Sequence, residues 1–243
     1  MQVLTRLLKG ALNRVGLDLV RHAPTLERPF ELVPVMLRDY VRSGHPVFVV
    51  QVGANDGRAF DPLGASIVEH RLPGLLIEPL PDLFEALRQN YAGLPGLIFE
   101  NVAIGADEGR KPFFRVRPGH DGPEFWQGLG SFDRGHLERA GVPPSDIESC
   151  MVDVVPMGAL LDRHRITDIT LLQVDTEGFD DHVVRATLET GVLPRVINYE
   201  HCHLPVRRRS ALKELLVAKG YRFLESWSDT TAARDSDRFP GLY

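Results

Sequence analysis

Carboxylates and imidazoles gather in two short stretches of this 243-residue chain. In Asp175-Thr-Glu177-Gly-Phe-Asp180-Asp181, four carboxylates fall within seven residues, the densest acidic cluster of the sequence. Further on, Glu200-His201-Cys-His203 sets a carboxylate beside two imidazoles. Such groups move protons near neutral pH or hold a metal ion. Asp180 and Asp181 also have a structural use, because acids complement the exposed N–H groups of a helix N-terminus. Asp175 has no such use. It closes the run Ile-Thr-Leu-Leu-Gln-Val (169–174), which reads as a buried strand, and open α/β sheets keep their sites at strand carboxyl ends. The His201/His203 pair could serve zinc or iron together with a carboxylate, but no third ligand is evident and no metal is assigned.

A second constellation lies upstream. The run Val-Phe-Val-Val-Gln-Val (47–52) stops at Gly53 and gives way to a Gly-x-Asn-x-Gly turn. Apolar β-branched runs of this kind are buried parallel strands, and the turn that follows is where such sheets bind nucleotide-like ligands. Gly53 and Gly57 let the backbone approach a ligand, while Asn55 and Asp56 tolerate unusual dihedrals and add polar groups. The next apolar run ends in Glu78, 25 residues after Gly53, where a carboxylate can accept two hydrogen bonds from a ribose diol. A dinucleotide fingerprint would have glycine at the positions of Asn55 and Arg58. The turn therefore suits an adenosine ligand lacking phosphates, such as S-adenosylmethionine. Gln51 at the strand end, and Asn101 and Val102 after the run 97–100, complete the expected cofactor wall. Asn101 can face an adenine edge or be only a turn residue.

These residues need a sheet to carry them. Strand–turn–helix alternation predicts an α/β protein with a doubly wound, mostly parallel sheet and helices on both faces. Residues 1–44 read as a helical appendage, with an amphipathic, basic helix over 1–22 that offers a surface for a membrane or a subunit, and a short helix from 32 to 41. The domain proper spans 45–243, with a loop-rich insertion at about 105–150. Long irregular segments are commonly functional loops, so acceptor specificity is expected there, with Ser131 among its contacts. Trp126, Phe132 and Trp227 are candidate platforms for sugar stacking. The run of arginines at 207–209 reads as a solvated helix start or an anion contact.

A net charge of −5 gives no electrostatic case for a nucleic-acid partner. Two distant cysteines, Cys150 and Cys202, without a CxxC, point to a reducing compartment. With no run of 18 apolar residues and no signal-peptide pattern, the cytoplasm is the expectation. Homo-oligomerisation stays open.

Taken together, the motifs resemble the FkbM family of S-adenosylmethionine-dependent methyltransferases over about 45–232. Val-Gly-Ala-Asn-Asp-Gly (52–57) is similar to the family's first cofactor motif, Ile-Glu-Pro-Leu-Pro (77–81) to its second-strand acid, and Asn-Val-Ala-Ile-Gly (101–105) to the following strand end. The most specific match is Leu-Gln-Val-Asp-Thr-Glu-Gly-Phe-Asp (172–180), followed by Pro-Arg-Val-Ile-Asn-Tyr-Glu (194–200). Gly-Ser-Phe (130–132) and Ser-Asp-Thr-Thr-Ala (228–232) are weaker matches. Gln173 stands where the family usually has lysine, and Met-Gly-Ala (157–159) replaces its Thr-Leu-Asp.

The resemblance implies a Rossmann-like class I methyltransferase that transfers a methyl group to a hydroxyl of a sugar, glycan or related small molecule. In that chemistry the expected base is His201, with Asp175 orienting it or the acceptor and Glu200 beside it; Glu177, His203 and Ser131 are expected substrate contacts. Two rival readings share parts of the pattern. A nicotinamide-dependent oxidoreductase is disfavoured by Asn55, and a non-catalytic module on the same fold would bind without turnover.

Overall fold

Short apolar strands covered on both faces form the centre of the molecule. The structure, a computed structural model, describes residues 32–59 and 61–234. Strands β1 (Val49–Val52), β2 (Gly74–Ile77) and β8 (Leu171–Val174) are buried at every position. Such burial marks parallel strands between helix layers.

The main sheet has seven strands in the order β10-β11-β9-β8-β1-β2-β3, where β3 is Leu97–Glu100, β9 Val196–Glu200, β10 Tyr221–Glu225 and β11 Asp229–Arg234. β1, β2, β3, β8 and β9 run parallel, and β11 is inserted antiparallel between β9 and β10. The expected doubly wound, mostly parallel sheet is present. Alternation along the strands divides the core. Val50, Val52, Leu172, Val174 and Ile197 pack with Leu160, Val183 and Leu212 on one face. Val49, Leu76, Leu171 and Val196 pack with Leu37, Ile67 and Leu87 on the other. The helices that cover these faces are α1 (Leu32–Arg42), α2 (Gly64–His70), α3 (Pro81–Asn90), α5 (Met157–Arg163), α6 (Asp180–Glu189) and α7 (Val206–Ala218).

Two differences from the sequence reading have physical causes. α1 buries Val33, Met36, Leu37 and Tyr40 in the same cluster as β1, so the segment from 32 belongs to the sheet domain rather than to an appendage. The amphipathic helix expected over 1–22 lies outside the described residues. The segment 105–150 is not mainly loop. With β4 (Ala103–Ile104) it builds a second sheet, ordered β4-β7-β5-β6, from β5 (Gly109–Val116), β6 (Gly130–Ser131) and β7 (Ile147–Val155), plus a short helix α4 (Arg134–Arg139). β5 and β7 pair antiparallel from Gly109↔Val154 to Val116↔Ile147. The first four residues of β5 are exposed and include Pro112, which hides the strand's period. Leu80, Ala103, Phe113, Val152 and Val154 form one cluster, which joins this sheet to the loop after β2.

A polar row crosses the main sheet. Gln51, Gln173, Asn198 and Thr231 are in register. The Asn198 amide donates to Gln173 Oε1 at 3.0 Å, and the Thr231 hydroxyl to Asn198 Oδ1 at 2.6 Å. Gln173 is therefore a buried hydrogen-bond acceptor in this ladder. Among the described residues, no helix is long and apolar enough to cross a membrane.

Candidate active site

From β1 the chain winds outward through β2 and β3, and it later returns to β8 and β9 on the other side. The crevice between the carboxyl ends of β1 and β8 is the switch point where such sheets bind ligands. A cavity of about 320 Å³ opens there, lined by the loops after β1, β2, β8 and β9 and by residues of the second sheet. That volume suits a small molecule.

On the β1 side, the Gly53 and Ala54 N–H groups donate to Ile77 O at 3.0 and 3.1 Å. Asn55 adopts a left-handed conformation, φ 49°, and its N–H donates to Glu78 Oε2 at 2.9 Å. The Leu80 N–H donates to the other carboxylate oxygen at 2.9 Å. Glu78 is thus a fixed acceptor in the cavity wall; burial pushes its pKa up to about 7 against the pull of these two N–H groups. Gln51, Gly53, Asn55, Glu78 and Val102 line the cavity.

Three expected cofactor residues do other work. Asp56 Oδ1 accepts from the Arg58 and Ala59 N–H groups and shapes the turn. Gly57, φ 74°, lies against Tyr91 and Leu87, where a side chain has no room. The Asn101 amide donates to Glu78 O and Pro79 O at 2.8 and 3.1 Å, so it holds the loop after β2 and does not line the cavity. Asp61 does line it. Its Oδ1 accepts from the Gln51 amide at 2.9 Å.

On the β8 side, Asp175, Glu177, Glu200 and His203 converge on the cavity. Glu177 is left-handed, φ 54°, an uncommon conformation for a residue with a side chain and one that clusters at functional sites. The Ser131 hydroxyl donates to Glu177 O at 3.3 Å, so Ser131 positions this turn from β6 and is not itself in the lining. His136, from α4, places Nε2 2.8 Å from Glu177 Oε2. His203 Nε2 lies 3.6 Å from Glu177 Oε2 and 3.6 Å from Glu200 Oε2. Glu200 Oε2 is buried without a hydrogen-bond partner. Burial, then Glu177, raises the Glu200 pKa to about 8; burial, then Glu200 and Glu177, holds Asp175 well above the usual carboxylate range.

Asp180 ties the loops together, accepting from the Thr176 hydroxyl and from the Gly178 and Glu200 N–H groups. Asp181 pairs with Arg208, which also donates to Gly178 O, and Arg209 pairs with Glu225. These two arginines bind acids and backbone instead of standing in solvent.

His201 needs correcting. β9 ends at Glu200, and strand alternation turns His201 to the opposite side. It is 2% exposed, with Nδ1 2.9 Å from Thr230 Oγ1, and it does not line the cavity. Its expected partner His203 faces His136 instead, the two rings 4.7 Å apart and nearly perpendicular. His136 was missed as a site residue because nothing local links it to a partner 41 positions on. Of the aromatic candidates, Phe132 lines the cavity and packs edge-on against Phe113 and Phe179. Trp126 and Trp227 do not.

Charge decides what this cavity accepts. Among its described lining residues are Asp61, Glu78, Asp175, Glu177 and Glu200, and no lysine or arginine. A pyrophosphate would find no cation there. An adenosyl sulfonium fits: Glu78 offers lone pairs to a ribose diol, and the acidic groups of Asp175, Glu177 and Glu200 lie where a positive charge would be.

The solved structure of an O-methyltransferase from Bacillus cereus in complex with SAH aligns over 95% of this chain and 90% of its own, at 9% identity and a TM-score of 0.44. A METTL16 methyltransferase domain aligns over 96% and 80%, at 14% identity and a TM-score of 0.43. The human methyltransferase 10 domain containing protein aligns over 96% and 97%, at 12% identity and a TM-score of 0.40. These are likenesses of general chain path and no more. No curated protein matches the sequence. The family described as Methyltransferase FkbM domain matches residues 51–223, most of the chain and all of the loops just described, and the protein belongs to that family of S-adenosylmethionine-dependent methyltransferases.

Proposed function

We propose that the protein methylates a hydroxyl group on an uncharged or cationic acceptor, a sugar, glycan or related natural product. The observation that carries this reading is the carboxylate and imidazole mouth at the cofactor crevice, built from Asp175, Glu177, Glu200 and His203 without a lysine or arginine. S-adenosylmethionine supplies an electrophilic methyl group on sulfur. What the chain must add is alignment, exclusion of water and a place for the hydroxyl proton.

Glu78 and the Gly53–Asn55 backbone hold the adenosyl end. Glu200 is the proton acceptor: its Oε2 faces the cavity without a hydrogen-bond partner. Asp175, beside it, orients the acceptor. Phe132 offers an apolar face on which a sugar ring can lie. A hydroxyl acceptor needs a base, whereas a neutral amine needs only orientation, and this is why Glu200, with one oxygen lacking a hydrogen bond, favours oxygen over nitrogen.

The first experiment is calorimetric titration with S-adenosylhomocysteine and, separately, NADH, on wild type and Glu78→Ala. The expected result is binding of the first ligand, weakened in the variant, and no binding of NADH. S-adenosylhomocysteine release is then measured from S-adenosylmethionine with neutral oligosaccharides and with nucleotide-diphosphate sugars as acceptors. Turnover on the phosphate-bearing set alone would overturn the acceptor reading; absence of S-adenosylhomocysteine binding would overturn the whole.

A further inference from the structure

Three side chains from three separate elements point their ligand atoms at one spot on the cavity rim. His136 comes from α4 in the second sheet's insertion, Glu177 from the turn after β8, and His203 from the loop after β9. One ligand atom from each lies within 4.8 Å of the others. Glu177 Oε2 is the shared centre, 2.8 Å from His136 Nε2 and 3.6 Å from His203 Nε2. Two nitrogens and an oxygen around a zinc-like ion stand about 3.4 Å apart when each metal bond is about 2.1 Å and the geometry is tetrahedral. The observed spacings bracket that figure, and His203, half exposed on a loop, has freedom to adjust.

A simple histidine–carboxylate hydrogen bond accounts for His136 and Glu177 but leaves His203 without a reason to face them. Nor does it explain Glu200 Oε2, which is buried, makes no hydrogen bond and lies 3.6 Å from His203 Nε2. Beside Glu177 and Asp175, that oxygen is an acceptor which a bound cation would complement. Those three acids also bring one oxygen each within 4.8 Å of one another. The left-handed backbone of Glu177, held through its carbonyl by Ser131, fixes the central ligand from behind.

We infer that His136 Nε2, Glu177 Oε2 and His203 Nε2 form a binding site for a divalent first-row transition ion, with its open positions toward the cavity. Two imidazoles and a carboxylate suit zinc, iron(II), manganese or cobalt, and not calcium or magnesium, which favour all-oxygen shells. The use of the site rests on the methyl-transfer reading; its existence does not. In that use the acceptor hydroxyl oxygen occupies an open position of the ion. Its proton passes to Glu200, an oxygen lone pair forms the bond to the methyl carbon, and the electron pair of the carbon–sulfur bond stays on sulfur, which leaves as a neutral thioether. The ion stabilises the oxygen as it loses its proton.

The test is titration of EDTA-treated full-length protein with cobalt(II), read by visible absorption, with zinc as competitor. Wild type should develop the bands of an imidazole-ligated ion at one ion per chain, and zinc should abolish them. His203→Ala and Glu177→Gln should each weaken cobalt binding by at least about tenfold, the loss that follows even from removing a hydrogen-bond partner of a ligand. S-adenosylhomocysteine titration of His203→Ala reports whether the cofactor crevice is intact. Absence of stoichiometric cobalt binding in wild type that still binds S-adenosylhomocysteine would overturn the metal site and leave methyl transfer standing. Cobalt binding unchanged in both variants would also overturn it. Cobalt binding that depends on both residues, in protein that ignores S-adenosylhomocysteine, would keep the site and sink the function assigned to it.

Discussion

The carbonyl oxygen of Asp175 occupies the place where a side chain on Gly53 would begin: a Cβ there would lie 1.8 Å from it. Gly53 also has φ 82°, which a side chain tolerates poorly. Two demands converge on one atom, and the cofactor turn and the carboxylate strand can close on each other only because that atom is absent. Gly53→Ala is expected to lower stability by at least about 2 kcal/mol in urea unfolding. It should also abolish S-adenosylhomocysteine binding, because the two loops are forced apart. A variant that binds normally would show that the approach is not needed.

Glu78 accepts backbone N–H groups from both Asn55 and Leu80. Glu78→Ala removes charged acceptors worth about 1.5–3 kcal/mol. The expected loss in S-adenosylhomocysteine affinity is roughly ten- to hundredfold. Calorimetry decides it; an unchanged Kd would remove Glu78 from the cofactor wall.

Buried acids give the ligand-free protein an unusual pH profile. Glu78 is raised from 4.5 to about 7 and Asp180 from 3.8 to about 7, each mainly by burial. The folded state therefore retains protons that the unfolded chain gives up. Their contribution is fully present below the unfolded values and is lost as pH rises through about 7. Asp82 and Glu225, whose values are lowered, act with the opposite sign only in more acid solution; His201 and His203, lowered from 6.5 mainly by burial, oppose the trend within the window but are outnumbered by the raised acids Glu78, Asp175, Asp180 and Glu200. The thermal midpoint of ligand-free protein should fall as pH rises from about 5 to about 7, inside the window these values define. A midpoint that rises over that interval would contradict the buried-acid assignment.

The base assignment separates two neighbours. Glu200→Gln should cut kcat by about a hundredfold or more while leaving S-adenosylhomocysteine affinity largely intact. His201→Ala should leave kcat near normal and instead reduce stability, since it removes the buried hydrogen bond to Thr230 and leaves a cavity. Reversal of that pattern would return the base role to His201.

Asp181 is 3% exposed and relies on Arg208 for its charge partner. Arg208→Ala leaves a buried carboxylate alone, a change that costs about 3–5 kcal/mol. Urea unfolding should show that loss, and Asp181→Asn in the same background should recover part of it.

The sequence was legible where the physics is local. A buried strand that stops at a glycine, and an acid at the end of the next, need only their own neighbours to be recognised, so Gly53, Asn55 and Glu78 were found. Asp175 was found because an acid at the end of an apolar run has no bland account. His201 lies off the site for a local reason too: strand alternation sets it opposite Glu200. His136 was invisible, since it reaches Glu177 only through the pairing of β5 with β7, and the exposed start of β5 disguises that pairing. Arg208 looked solvated because its acid lies 27 residues away on another helix.

A wall rich in acids and without a lysine or arginine also sets the direction of traffic. While the methyl group is on sulfur the ligand is a cation and the wall attracts it; once the group has gone the sulfur is neutral and that attraction falls away. The cavity thereby tells a charged donor from a spent one without a moving part.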